Sequence, residues 1–260
     1  MAVLTLFQDW SASGQAVSEG APRWLADLAL AALLGAYGFL LVRALARRRW
    51  YRATGVLGEE DLRALHGELA GAERRTVGEI LVVVLERSDR HPGACWLAAL
   101  TCMLIGTAGS SAWLWGEPAL MLAAQLAFGA LGYASARWLP DFQHFFLGRA
   151  QAREAAEEQA FQEFHRYQLF RTEARTGVLL FVSLLERHAI VLADEGIAAR
   201  VEPEQWARTN ELVLAGIRRG SLRAGLVAGI QSAGELLARH FPVTSGDRNE
   251  VPDRVIVRRD

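Results

Sequence analysis

The chain has 260 residues, 52% of them hydrophobic, and a formal net charge of −1, so its composition predicts no binding to nucleic acid. All 28 basic residues are arginine, and the lack of lysine excludes Schiff-base enzymes, P-loop NTPases and protein kinases, which each need one. The two cysteines, Cys95 and Cys102, lie in one apolar run and are interpreted as small apolar side chains, not as a disulfide or a metal pair.

The first apolar segment, residues 24–45, is predicted to be a transmembrane helix, because it has no charge between Leu28 and Val42. A secretory signal peptide is the alternative interpretation. Signal peptides carry positive charge before the apolar run, whereas most arginines here follow it. We therefore expect an uncleaved helix, preceded by an extracytoplasmic segment at 1–23.

Two uncharged segments, 94–115 and 118–136, are separated only by Gly116 and Glu117 and predict a transmembrane hairpin over 94–136. A pair of buried core helices is the alternative. Neither segment has the polar face that a water-facing helix needs, which favours the hairpin. Their glycine and hydroxyl side chains allow close helix pairing in lipid, so membrane lipid is an expected partner.

Arginine placement predicts the orientation of these segments. Arginines follow the first span and flank the hairpin, and the hairpin tip has none. By the positive-inside rule the N-terminus lies outside and the bulk of the protein is cytoplasmic. We expect a multi-pass protein of the plasma (inner) membrane.

Two similar segments flank the hairpin, RTVGEILVVVLER at 75–87 and RTGVLLFVSLLER at 175–187. Their apolar runs, 79–86 and 178–185, predict two parallel neighbouring strands in a buried sheet. A third strand at 188–193 follows closely enough for an antiparallel hairpin. Helical patterns occupy 58–74, 149–173, the segment from Pro203 to Gly220 and the segment from Ser221 to Pro242.

These elements predict one α/β domain in two parts, 55–93 and 140–242, interrupted by the hairpin and followed by a C-terminal tail at 243–260. The sequence resembles the TPM-domain family, in particular a bacterial membrane branch in which a hydrophobic hairpin interrupts the domain. The segments that carry the resemblance are GAERRTVGEILVVVLERSD, RTEARTGVLLFVSLLERHAIVLADEGI, GIRRGSLRAGLVAGIQSAGELLARHFP and GDRNEVPD.

The resemblance implies a small α/β/α sandwich, a membrane location and a role in the assembly or repair of membrane complexes. It also implies LemA-like membrane proteins as partners. Acid phosphatase activity is attributed to some relatives, but the family gives no catalytic signature that matches this chain residue by residue. The catalytic residues are therefore unknown at this stage.

Two acidic clusters are the candidate site: Asp194 and Glu195, which follow the third strand, and the tail residues Asp247, Asn249, Glu250 and Asp253. Together they offer hard oxygen ligands for calcium or magnesium. In the alternative interpretation, Asp194 to Gly196 is an ordinary turn and the tail is a strap held by salt bridges, for example from Arg248 to Asp194.

Two functions follow from these observations. The first is a noncatalytic interaction or assembly module that acts with other membrane proteins. The second is a metal-assisted, acid phosphatase-like hydrolase that uses the acidic clusters. The six histidines are scattered, without a pair at ligand spacing, which favours the first function.

Overall fold

The computed structural model describes residues 23–47, 56–114, 116–243 and 254–258, so all of the predicted N-terminal segment 1–23 except Arg23 lies outside the described residues. The helices are α1 (Arg23–Arg47), α2 (Glu59–Glu73), α3 (Pro92–Leu114), α4 (Pro118–Trp138), α5 (Pro140–Phe146), α6 (Arg149–Arg166), α7 (Glu195–Ala198), α8 (Pro203–Arg218) and α9 (Leu222–His240). The strands are β1 (Glu79–Leu85), β2 (Gly177–Ser183), β3 (His188–Ala193) and β4 (Val255–Arg258).

The four strands form one mixed sheet in the order β3-β2-β1-β4. β1 is parallel to β2, as the sequence predicts, with Val83 beside Phe181. β3 is antiparallel to β2, and β4 is parallel to β1 on its other side. The similar sequences align position 79 with position 179, but in the sheet Glu79 pairs with Gly177, a shift of two residues. Because the shift is even, equivalent side chains remain on the same face of the sheet.

Helices cover both faces of the sheet. Ile80, Val82 and Val84 of β1 belong to a core shared with α2, α8 and α9, whereas Leu81 and Val83 belong to a second core shared with α6. Every residue of β1 and β2 is buried, which explains why their sequences are continuously apolar instead of alternating.

α8 and α9 form a helical hairpin on the larger core. Gly220 has a φ of 88° in the turn between them, a left-handed conformation that favours glycine, and the Ser221 side chain caps α9 by accepting from Ala224 N at 3.1 Å. The helices approach so closely that a methyl group on Gly216 would overlap Gly225 Cα. Small residues at this crossing allow both helices to lie on the sheet.

Two parts of the fold differ from the sequence expectation. The helix predicted over 149–173 ends at Arg166, because Gln168 is left-handed (φ 55°) and the following 3₁₀ turn buries Leu169 beneath β2. The Leu169 carbonyl lies so close to Gly177 that no side chain fits there. In addition, the C-terminal tail, in which no strand was predicted, contributes β4, which pairs with β1.

The chain divides into two compact units, one from the described parts of residues 1–46 and 92–146, the other from the described parts of 47–91 and 147–260. In the first unit, Cys95 and Ala98 of α3 pack with Ala44 of α1 and Ala136 of α4. A methyl group on Gly132 would come within 2.7 Å of the Ala98 carbonyl oxygen, so α3 and α4 are in close contact.

Two described helical segments are long and apolar enough to cross a membrane, Pro92–Ser111 and Pro118–Trp138. Only 33% and 17% of their residues are buried, whereas a core helix of a soluble protein is mostly buried. Large apolar side chains are exposed along both helices, at Trp96, Leu97, Leu100, Leu104, Ile105, Trp113, Leu120, Leu122, Leu126 and Leu131. This exposure weakly supports membrane association.

Candidate functional site

A pocket of about 370 Å³ lies in the second unit, where β3 ends beside α6. Its walls combine aromatic and charged side chains. The lining residues are Phe161, Phe164, His165, Phe170, Arg175, Leu192, Ala193, Asp194 and Glu195.

Asp194 is one of the two acidic residues that line this pocket. Its amide donates to Gly177 O (2.9 Å), which fixes it at the end of β3, and its Oδ1 accepts from Glu195 N (2.8 Å) at the start of α7. The residue is only 5% exposed, and its second oxygen, Oδ2, has no hydrogen-bond partner among the described residues. A buried carboxylate oxygen without a donor is costly, so this atom is suited to receive one from a ligand.

Arg175 faces the two acidic residues. Its Nη1 lies 3.8 Å from Asp194 Oδ1 and 3.6 Å from Glu195 Oε2. Arg175 is left-handed (φ 54°), and its carbonyl oxygen would be 2.6 Å from a methyl group on Gly196, so this turn requires glycine there. Arg175 is not among the site residues predicted from the sequence, although it lies just before β2, at the end of the sheet where an antiparallel β3 must finish.

Another part of the lining is aromatic. The Phe161 ring is 60% exposed and lies 4.2 Å, between ring centroids, from His165, which in turn lies 5.4 Å from Phe170. His165 Nδ1 donates to Phe161 O at 3.0 Å, which holds the imidazole against the helix. The pocket therefore combines an apolar, stackable wall with a charged one.

Only two of the six predicted metal ligands lie among the described residues. Asp194 and Glu195 line the pocket, whereas Asp247, Asn249, Glu250 and Asp253 lie outside the described residues. Within the described ranges, no group of three or more His, Cys, Asp or Glu residues could hold a metal ion. Asp194 and Glu195 alone supply too few ligands for calcium or magnesium, and the six-residue site stays a prediction.

The chain after α9 does return to the pocket's end of the sheet. Pro242 forms a bridge with Thr76, which precedes β1, while Asp194 adjoins Gly177 at the start of β2. β4 then begins beside Val82, and two strands, β1 and β2, separate it from β3. At about 4.8 Å per strand, β4 and β3 are about 14 Å apart, so β4 itself does not reach Asp194.

A second cluster of polar side chains lies at the opposite end of the sheet, around the buried Glu186 in the turn between β2 and β3. Its Oε1 accepts from His91 Nε2 (2.5 Å) and Ser88 N (3.1 Å), and the Ser183 hydroxyl donates to its other oxygen. Burial raises the pKa of Glu186, but these hydrogen bonds favour the ionised form and hold the pKa below its ordinary value. The Glu186 carboxylate therefore links the segment after β1, which contains Ser88 and His91, to the turn after β2.

Comparison with known proteins gives one similar structure. No family model matches the sequence, and no curated protein matches it. The fold is similar to the NMR structure of the BA42 protein from the psychrophilic bacterium Bizionia argentinensis, with a TM-score of 0.50 and 19% identity over 78% of this chain and 95% of that chain. At this identity the similarity concerns the fold alone, a mixed α/β structure compatible with a TPM-like domain.

Proposed function

We propose that the chain is a multi-pass membrane protein whose cytoplasmic, TPM-like α/β/α domain is a noncatalytic interaction module for other membrane proteins. The observation that carries the membrane part is the exposure of α3 and α4, since apolar helices left 67% and 83% unburied need a lipid or protein environment. The span predicted at 24–45 is part of this proposal and falls within α1, which is not one of the two described segments that are long and apolar enough to cross a membrane. The arginine distribution supports a cytoplasmic domain.

The pocket around Asp194 is the proposed contact site for a partner protein. An exposed phenylalanine, a histidine beside it and an arginine paired loosely with two carboxylates are side chains of the kind that dominate binding energy at interfaces. Asp194 Oδ2 would accept a hydrogen bond from the partner. The family resemblance makes a LemA-like membrane protein the expected partner.

Site-directed photo-crosslinking in intact cells tests this site. A photoreactive phenylalanine analogue at Phe161 should capture one defined membrane protein, and the same analogue at Arg208, an exposed residue of α8, should not. Arg175→Glu, which reverses the charge facing Asp194, should abolish the crosslink from position 161. A crosslink that is insensitive to Arg175→Glu, or one equally strong from position 208, would contradict the pocket as the contact site.

The alternative function is an acid phosphatase-like hydrolase assisted by calcium or magnesium. Asp194 favours it, because a buried carboxylate oxygen without a donor is also suited to a cation. Purified full-length protein should then hydrolyse a phosphate monoester only when the divalent ion is added, and Asp194→Asn should remove the activity. Hydrolysis that survives Asp194→Asn would exclude this site as its origin.

A further inference from the structure

A second and larger pocket, of about 560 Å³, lies in the α/β unit beside the turn between α8 and α9. Its floor is apolar, with Leu184 and Leu222 almost fully buried. Val56, Leu214 and Ile217 complete the apolar lining, and all three are half-buried. A cleft of this size accommodates part of an acyl chain or a similar apolar group.

The charged lining of this pocket is basic. Its charged residues are Arg47, Arg187 and Arg218, which are all exposed, and none of the described residues that line it is acidic. Arg218 has an ion pair with Glu211 at 3.5 Å, but both side chains are exposed, so this pair holds the guanidinium only weakly. Three exposed arginines beside apolar side chains complement a ligand with an anionic head and an apolar tail.

The chain ties this pocket to the start of the apolar hairpin. Arg187 directly follows Glu186, and Glu186 holds His91 through the 2.5 Å hydrogen bond. Pro92, which follows His91, is the first residue of α3, and the apolar side chains of α3 are exposed. His91 is itself left-handed (φ 46°), so a sharp turn fixed to the α/β unit lies immediately before α3.

We propose that this pocket binds an anionic diacyl phospholipid of the membrane into which the hairpin inserts. Arg187 and Arg218 bind the phosphate, and the leucine floor takes the beginning of one acyl chain. The proposal rests on membrane insertion of the hairpin. If α3 crosses the membrane, His91, which directly precedes it, lies at the level of the lipid headgroups. It assigns a specific ligand to a part of the α/β unit that is separate from the Asp194 pocket.

Native mass spectrometry of the full chain, purified in a neutral detergent, tests the proposal. Phosphatidylglycerol should bind as one retained molecule, whereas phosphatidylcholine with the same acyl chains should not be retained. The double variant Arg187→Gln/Arg218→Gln should bind phosphatidylglycerol roughly tenfold more weakly or worse, because two of the three arginine charges that line the pocket are lost. The charge-matched control Arg208→Gln/Arg239→Gln, with both exposed residues outside the pocket, should bind like the wild type.

Further experiments distinguish lipid binding from the binding of other anions, and test the pocket and the membrane anchor independently. Soluble glycerol phosphate should not compete with phosphatidylglycerol, and competition at equal concentration would overturn the lipid assignment in favour of a free phosphate ester. Equal retention by the two double variants would overturn the pocket itself, provided that both unfold at the wild-type temperature. Fractionation of the wild-type chain with membranes tests the proposed anchor separately, and a soluble chain would refute the anchor whatever the lipid titration gives.

Discussion

Arg258 donates to Glu163 across 2.5 Å and thereby joins the last described strand to helix α6. Glu163 is 1% exposed and also accepts from Gln159 at 2.9 Å, while Arg258 is 24% exposed. β4 has only four residues, which is short for a strand, so its backbone supplies few hydrogen bonds to β1. The ion pair between Arg258 and Glu163 therefore holds β4 against α6.

We expect Glu163→Ala to destabilise the α/β unit by about 2 kcal/mol, because it leaves the partly buried Arg258 without its carboxylate. Glu163→Gln should cost less, since the amide oxygen still accepts a hydrogen bond. Hydrogen exchange in the peptide that contains β4 should accelerate in both variants. The control is Glu157→Gln, which removes an exposed partner of Arg153 and should leave β4 exchange unchanged. Unaltered exchange in Glu163→Ala would refute this role of the ion pair.

A second prediction concerns the crossing of α8 and α9. Gly216→Ala should destabilise the protein by about 2 kcal/mol, because the new methyl group overlaps Gly225 Cα and the helices must separate. Gly67→Ala, in the middle of α2 with open space around it, should instead stabilise by about 0.5 kcal/mol through helix propensity. Urea unfolding of both variants in detergent measures the two effects, and opposite signs are the expected outcome.

The sheet core gives a third prediction. Phe181→Ala should cost about 4 kcal/mol, because Phe181 is fully buried beside Val83 in the contact between the sheet and α6. The same change at Phe161, which is exposed on α6, should alter stability little. A Phe181→Ala protein with the wild-type unfolding midpoint would contradict the position of β2 in the centre of the sheet.

The parallel pair of β1 and β2 could be predicted from sequence, because a strand buried on both faces is a continuous run of apolar residues. One such run lies before the apolar hairpin and one after it. β4 could not be predicted, because a four-residue strand at the end of a polar tail differs little from a loop and depends on Arg258 reaching Glu163. Asp194 was found from its position after β3. Arg175 was not predicted, although the antiparallel β3 expected from the sequence ends beside the start of β2 and so brings Asp194 to Arg175.

Membrane topology gives a fourth prediction, tested by thiol labelling in intact cells with Cys95 and Cys102 replaced by alanine. Glu117→Cys, at the hairpin tip, should react with an impermeant reagent added outside. Glu204→Cys, exposed in the first turn of α8, should react only after the membrane is opened. The reason is the positive-inside rule, which keeps the arginine-rich loops in the cytoplasm. Labelling of position 204 from outside would invert the proposed orientation.

The pH dependence of stability gives the last prediction, which concerns Glu186. Its pKa in the folded protein is held below the ordinary value of 4.5 by His91, Ser183 and two backbone amides, despite the opposing effect of burial. A carboxyl group with a depressed folded pKa contributes stability above its unfolded pKa and loses it as the pH falls through the folded value. The unfolding free energy of the wild type should therefore decrease as the pH falls below about 4.5.

Glu186→Gln cannot be ionised and should lack this part of the acid dependence, so its stability deficit relative to the wild type should be largest near pH 7 and shrink below about pH 4. Ser183→Ala should reduce the same contribution, because it removes one donor to the carboxylate. The control is Glu204→Gln, an exposed acidic residue, which should follow the wild-type curve at every pH. Urea unfolding in detergent between pH 3 and about pH 8 measures all four proteins, and a Glu186→Gln deficit that stays constant with pH would refute an ionised Glu186 as the source of stability.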